Sequence, residues 1–347
     1  MGKAAIKNPY LDTLGGGERY TLSVAIVLAG MGYEVDIAWK EKSILQRLSN
    51  RFGMTLPKSI KIVNEINRGE NYDVCFWVSD GSIPTLRAKR NFLHFQVPFH
   101  GVNGKSLLNK MKLFRIEKII CNSNFTKRII DREYGVESVV VYPPVDVAKI
   151  KPKRKENLIL YVGRFSNLVQ NKGQRYLIES FKKLTMDEKY KDWKLVLAGG
   201  VEVGVGGYLD ELKKEAKGLN VEFLQSPDYQ TLLQLYGKAK YFWSAAGYGV
   251  DENKNPDKME HFGITLVEAM AAGVVPIVYS GGGHREIIDD KESGFLFEAL
   301  SDLVSITKEV DSDYKLFNHA TKMAKQKSQV YSYGEFEEKL KDIFKNK

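Results

Sequence analysis

Two carboxylates, Glu260 and Glu268, are separated by seven residues in EHFGITLVEAMAAGVVPIV, with Gly263 between them. Residues 265–272 are strong helix formers without a breaker, Gly273 is a stop, and 274–278 reads as a short buried strand. The segment is therefore a loop, a helix and a strand, with one acid on the loop and one early in the helix. Carboxylates so placed suit sugar hydroxyls. The free amides of a helix start at Gly263, Ile264 and Thr265 suit a phosphate. Together they offer what a sugar nucleotide needs.

Cations and glycines supply the rest of that chemistry. Arg164 follows the strand-like run 158–162, and Lys172 stands in Asn171-Lys172-Gly173 just before a helical stretch over 174–184. Two fixed cations and helix amides are suited to the charge that develops on a departing diphosphate. Gly15, Gly16 and Gly17 follow the first strand and open the first helix, where a bare backbone can approach an anion. Their spacing is neither the dinucleotide fingerprint nor a Walker loop. His94, in LHFQVPFH at a strand end before Pro98, is a candidate for contact with a sugar or an acceptor. A second glycine loop, SGGGHRE over 280–286, shapes a site rim. No metal site is expected: the one Asp-x-Asp, Asp311-Ser312-Asp313, reads as a helix cap, and the five histidines show no ligand spacing.

The elements that must hold these residues alternate between short apolar strands and amphipathic helices. Strands are expected at 3–6, 34–38, 72–78, 91–95, 118–122 and 138–141, then at 158–162, 194–197, 221–224, 241–244 and 274–279. Helices are expected at 18–30, 124–134, 174–184 and 333–344, the last with Phe336, Leu340 and Phe344 at four-residue spacing. This is an α/β doubly wound pattern run twice, interrupted by Pro143-Pro144 and the charged stretch KPKRKE. The expected division is an acceptor-binding domain over 1–148, a nucleotide-sugar domain over 149–330, and a helix over 331–347 that packs back on the first. In such folds ligands sit at the carboxyl ends of strands, which places the site in a cleft between the two domains.

Composition bounds the partners. The chain has 347 residues and a formal net charge of +9, which favours an anionic partner. Cys75 and Cys121 lie in apolar runs and read as buried thiols. No apolar run is long enough to cross a bilayer, and MGKAAIKNPYLD lacks the core of a signal peptide. A reducing, cytoplasmic setting is expected. Residues 104–118, GKSLLNKMKLFRIEK, read as a basic amphipathic helix. Such a helix either lies peripherally on an anionic membrane or packs on its own sheet with a solvated basic face.

The GGGER loop, SNFTKRIIDREYG with VVVYPPVD, VGRF with NKG, EHFGITLVEAMAAGVVP, and GGGHREII with SGFLF occur in order across nearly the whole chain. This set resembles the family-4 glycosyltransferases of the GT-B fold. It is similar to the mannosyltransferases that extend dolichol-linked oligosaccharides, and to many bacterial relatives. The resemblance implies that Glu268 holds the nucleotide ribose, Glu260 the donor sugar, and Arg164 with Lys172 the diphosphate. It implies that Gly16 and Gly17 close over that diphosphate, and that His94 stands beside the sugar. It further implies sugar transfer with retention, with the leaving phosphate helping to deprotonate the acceptor. Gln225, in VEFLQSPDY, stands where many relatives carry Gly.

The expected activity is thus a metal-independent, retaining hexosyltransferase without a cofactor. It would move a mannose- or glucose-type sugar from a donor such as GDP-mannose or UDP-glucose to a glycan or lipid-linked acceptor. The rivals are an epimerase or phosphorylase of the same fold and, from another class, a basic nucleic-acid-binding protein. Dispersed basic residues argue against nucleic acid.

Overall fold

The computed structural model describes residues 2–166, 170, 172–201 and 207–345. Asn171, in the second motif loop, lies outside the described residues. The chain forms two compact units, Met1–Pro144 with Tyr333–Lys347, and Val145–Ser332.

In the first unit seven strands make one parallel sheet: β1 (Gly2–Lys7), β2 (Tyr33–Ala38), β3 (Ile60–Val63), β4 (Val74–Val78), β5 (Arg90–Phe95), β6 (Lys118–Cys121) and β7 (Val139–Val140). Their order is β3-β2-β1-β4-β5-β6-β7. In the second, six strands make another: β8 (Leu158–Val162), β9 (Lys194–Gly199), β10 (Val221–Gln225), β11 (Tyr241–Ser244), β12 (Val275–Tyr279) and β13 (Phe295–Phe297). Their order is β10-β9-β8-β11-β12-β13, again parallel throughout. Parallel strands need helical crossovers that cover both sheet faces, so central strands such as LILYV are apolar at every position and wholly buried.

Helices begin and end where residue chemistry tells them to. Ser123 caps Asn124–Tyr134 by accepting from Thr126 N at 3.0 Å, and Asp228 caps Tyr229–Lys238 by accepting from Thr231 N at 2.7 Å. Gly135, at φ +66°, closes the first of these in the left-handed region. Asp313 caps Tyr314–Ser328 through Lys315 N and Leu316 N. The final helix, Tyr333–Lys345, buries Phe336, Leu340 and Phe344 in the core of the first unit, against Tyr20, Phe92 and their neighbours.

Apart from the helix over 104–118, the strands and helices expected from sequence are present, with ends agreeing to within two residues. β3 and β13 had no sequence signal of their own. Both are edge strands of three or four residues, FLF and IKIV, too short for an apolar period to show. Residues 104–118 do not form one long helix. The helix there is Leu107–Leu113, and its apolar face points outward rather than onto the sheet. Cys75 and Cys121 are buried, and burial pushes both thiols up to about 12, so neither is a nucleophile at neutral pH. Among the described residues no helix is long and apolar enough to cross a membrane.

Candidate active site

In the second unit the site is assembled where β8 and β12 end. Gly263 leads into the helix Ile264–Ala271 with φ +115°, a conformation that costs an L-residue strain but not glycine. Thr265 Oγ1 donates to Val162 O at 2.9 Å, tying the helix start to the end of β8. Gly263 has no side chain with which to cap this helix, and among the described residues no side-chain cap is seen, which leaves its amino end to main-chain amides. One turn on, Glu268 is only 5% exposed, and Tyr236 OH donates to its Oε2 at 2.8 Å.

Glu260 is held by its backbone and paired by its side chain. Gly283 N donates to Glu260 O at 2.7 Å, and a Cβ on Gly282 would meet that same oxygen at 2.3 Å. The glycines of SGGGH are therefore required by close backbone approach, which is the role of that loop. Lys172 Nζ donates to Glu260 Oε2 at 2.9 Å, and the two side chains are 13% and 19% exposed. Lys172 is placed by Gly173, whose φ of +74° opens the helix Gln174–Leu184 and whose missing Cβ leaves room for Ala245 O. Gln174 Nε2 donates to Arg164 O at 2.8 Å, so the helix also pins the turn that carries Arg164. The Arg164 side chain is exposed beyond β8.

Electrostatics follow from these contacts. Burial alone would raise the Glu260 carboxyl. The charge of Lys172, reinforced by His284 and His261, outweighs it and brings the group down to about 2. His261 and His284 respond in the opposite sense: burial drives both below the ordinary imidazole value, His261 to about 4, although Glu260 pulls them up. At neutral pH the cluster is an ionised carboxylate beside one lysine and two neutral rings. Gln170 Nε2 joins it, donating to Met259 O at 2.7 Å and lying 3.0 Å from His261 Nε2. A fixed carboxylate, a lysine and uncapped helix amides can accept sugar hydroxyls and bind phosphate within one loop cluster.

In the first unit, Gly15 stands ahead of the helix Gly16–Gly30. Glu18 turns back on this loop: its Oε2 accepts from Gly15 N at 2.6 Å and from Thr13 Oγ1 at 2.7 Å. Leu14 takes φ +51°, a strained value for a branched residue. Gly17 packs against the amide of Gln96, whose Nε2 donates to Gly17 O at 3.2 Å.

The structure places His94 in the core of the first unit. Its ring is fully buried, stacked on Tyr20 at 4.1 Å and near Phe76 at 5.4 Å, with Nδ1 3.0 Å from Ile120 O. Burial lowers it to about 3. On β5 it shares the core face with Phe92, and its Nε2 has no hydrogen-bond partner among the described residues.

Of the residues expected from sequence, the structure brings Lys172 and Glu260 together and ties the Gly263–Thr265 helix start to the end of β8. The sequence reading passed over Tyr236, His261 and Gln170 as partners. His284 and His261 carried the only available signal, a histidine beside a motif residue in each glycine-bearing loop.

The model for glycosyl transferases group 1 matches residues 145–330, more than half of the chain, and that for glycosyltransferase family 4 matches residues 14–149. The chain belongs to the group 1 glycosyl transferases. The chain is 26% identical over 226 residues to a GDP-Man:Man(3)GlcNAc(2)-PP-Dol alpha-1,2-mannosyltransferase of Dictyostelium discoideum, covering 61% of this chain and 43% of that protein. It is 25% identical over 315 residues to an uncharacterized glycosyltransferase of Haemophilus influenzae, covering 83% and 84%. The chain spans less than half the length of the Dictyostelium relative. Among solved structures, a glycosyltransferase from Rickettsia africae superposes with a TM-score of 0.78 at 18% identity, over 100% of this chain and 99% of that one. HepE from Anabaena, in complex with UDP and glucose, gives 0.75 at 14%, over all of both chains. The fold is GT-B, two Rossmann-like units each built on a parallel sheet.

Proposed function

We propose that the transferase moves a hexose, with retention and without a metal ion, from a nucleoside-diphosphate sugar to a glycan or lipid-linked acceptor. The observation that carries this reading is the 2.9 Å Lys172–Glu260 pair beside an uncapped helix start. In this reading Glu260 accepts hydroxyls of the donor sugar and Glu268 those of the ribose. Lys172, Arg164 and the amides of Ile264 and Thr265 hold the diphosphate as its bond to the sugar breaks. Gly16 and Gly17 offer main-chain amides to an anionic substrate group, beside Gly15, whose own amide is held by Glu18. His94 has no contact with substrate. The mannosyltransferase relative supports a lipid-linked acceptor and GDP-mannose as donor, whereas the HepE likeness supports the fold alone.

A thermal-shift and donor-hydrolysis screen with GDP-, UDP- and ADP-sugars in the presence of chelator tests the reading. Stabilisation and slow hydrolysis by one nucleotide class are expected. Activity abolished by chelator and restored by manganese would overturn the metal-independent part.

A further inference from the structure

We propose that the face formed by Leu107, Leu108, Met111 and Phe114 docks the protein on an anionic lipid surface. These side chains are 76%, 62%, 67% and 92% exposed, and Val102 beside them is 38% exposed. Four large apolar groups within eight residues are a contiguous patch, unlike the scattered exposed apolar residues of an ordinary surface. Leu107, Met111 and Phe114 recur at helical spacing on one side of Leu107–Leu113, with Leu108 beside them.

The patch is held out rigidly. Upstream, the Glu133 carboxylate accepts from the amides of Gly101 at 3.1 Å, Val102 at 3.0 Å and Gly104 at 3.4 Å. A Cβ on Gly104 would lie 2.6 Å from the Tyr134 ring, so the loop fits only with glycine. Ser106 caps the helix. Downstream, Leu113 and Ile116 pack onto the core around Leu93, Phe95 and Ile119, and Arg115 Nε donates to Leu86 O at 2.9 Å. The helix therefore has a packed side and an outward side, and the outward side carries the larger apolar residues.

Charge selects the occupant. Lys105, Lys110, Lys112 and Arg115 surround the patch, and residues 101–116 contain no acid. The Glu133 carboxylate that reaches this segment is taken up by amides. A second copy docked about a two-fold axis would set these cations against their own equivalents. Nucleic acid would engage the cations but leave Leu107 and Phe114 in water. A headgroup layer with acyl chains beneath it satisfies both, apolar side chains below and lysines at the phosphates. This inference rests on no assignment at the donor site.

Flotation of the full chain with phosphatidylcholine vesicles, with and without phosphatidylglycerol, tests it. Binding to the mixed vesicles alone, weakening as salt is added, is expected. Leu107→Ser with Phe114→Ser should lower partitioning about 100-fold. Lys110→Gln with Lys112→Gln should lower it about 30-fold. Both variants should keep the parent unfolding midpoint, since none of these side chains is buried. No flotation, flotation independent of phosphatidylglycerol, or flotation untouched by either variant overturns the proposal. So does a dimer in light scattering, or retention of RNA, that the same variants abolish.

Discussion

The helices Gly16–Gly30 and Ile264–Ala271 both begin behind a glycine, and both sheets are parallel, yet the two starts are finished differently. In the first unit an acid of the same loop closes the start, Glu18 accepting from Gly15 N and Thr13 Oγ1. In the second, among the described residues, no side chain caps the helix behind Gly263, and the acids face elsewhere, Glu260 to Lys172 and Glu268 to Tyr236. A capping carboxylate satisfies orphan amides and fixes the loop, but it neutralises the positive helix end. An uncapped start keeps that end for an anion from outside. The same construction thus serves as a fixed scaffold in one unit and a ligand-ready surface in the other.

Substitutions on the two sides can break this contrast. The largest effect is expected from Lys172→Ala, a loss of turnover of about 10²–10³-fold with folding preserved, read by steady-state donor consumption. Near-parent turnover would end the diphosphate assignment. The same variant reports on acid stability. Glu260 is held at about 2 against an ordinary 4.5, so its contribution is present above about pH 4.5 and lost as pH falls toward 2. Without Lys172 that carboxyl should rise, and the acid-unfolding curve of the variant should flatten across this interval.

Glu268→Gln keeps an acceptor for Tyr236 while removing the charge, and nucleotide affinity by calorimetry should fall about tenfold. Glu18→Gln should leave that affinity unchanged. An equal loss in both variants would erase the distinction between a binding and a closing carboxylate.

The two glycines should then differ in kind. Gly263→Ala finds ordinary space, its nearest neighbours at 3.5 Å, but must hold φ +115°, costing about 1–2 kcal/mol in urea unfolding. Gly17→Ala carries no such φ and displaces only the flexible end of Gln96, with about 1 kcal/mol lost through its hydrogen bond to Gly17 O.

The smallest effect on activity is expected from His94→Phe, with unchanged turnover. His94 is held at about 3 against 6.5, so the native state loses stability as pH falls from about 6.5 toward 3. The variant should lack that part of the acid slope. A large loss of turnover in a folded variant would return His94 to the site.

Most of the second-unit site was legible before any coordinates. Glu260, Gly263 and Glu268 lie within nine residues, and the backbone conformation that glycine permits is a local property. Lys172 was legible as a cation before a helix, but its pairing with Glu260 spans 88 residues and depends on how β8 lies against the 260–263 loop. Tyr236 had no signal, because a tyrosine on an amphipathic helix looks the same whether it fills space or holds a carboxylate. Gln225 ends β10 in extended conformation, and the left-handed turn falls on Ser226, at φ +48°.

By itself, the sequence determined the alternation of strands and helices, the glycines at tight turns and the ordered motifs of the family. Each depends on apolar period or backbone freedom over a few residues. Only the tertiary structure decided that His94 is a core ring, because strand alternation does not say which face meets Tyr20. Only it decided that Leu107, Leu108, Met111 and Phe114 face solvent, because periodicity defines a helix face without saying what lies opposite. It also matched Glu260 with Lys172, since a partner for a largely buried charge is chosen by folding.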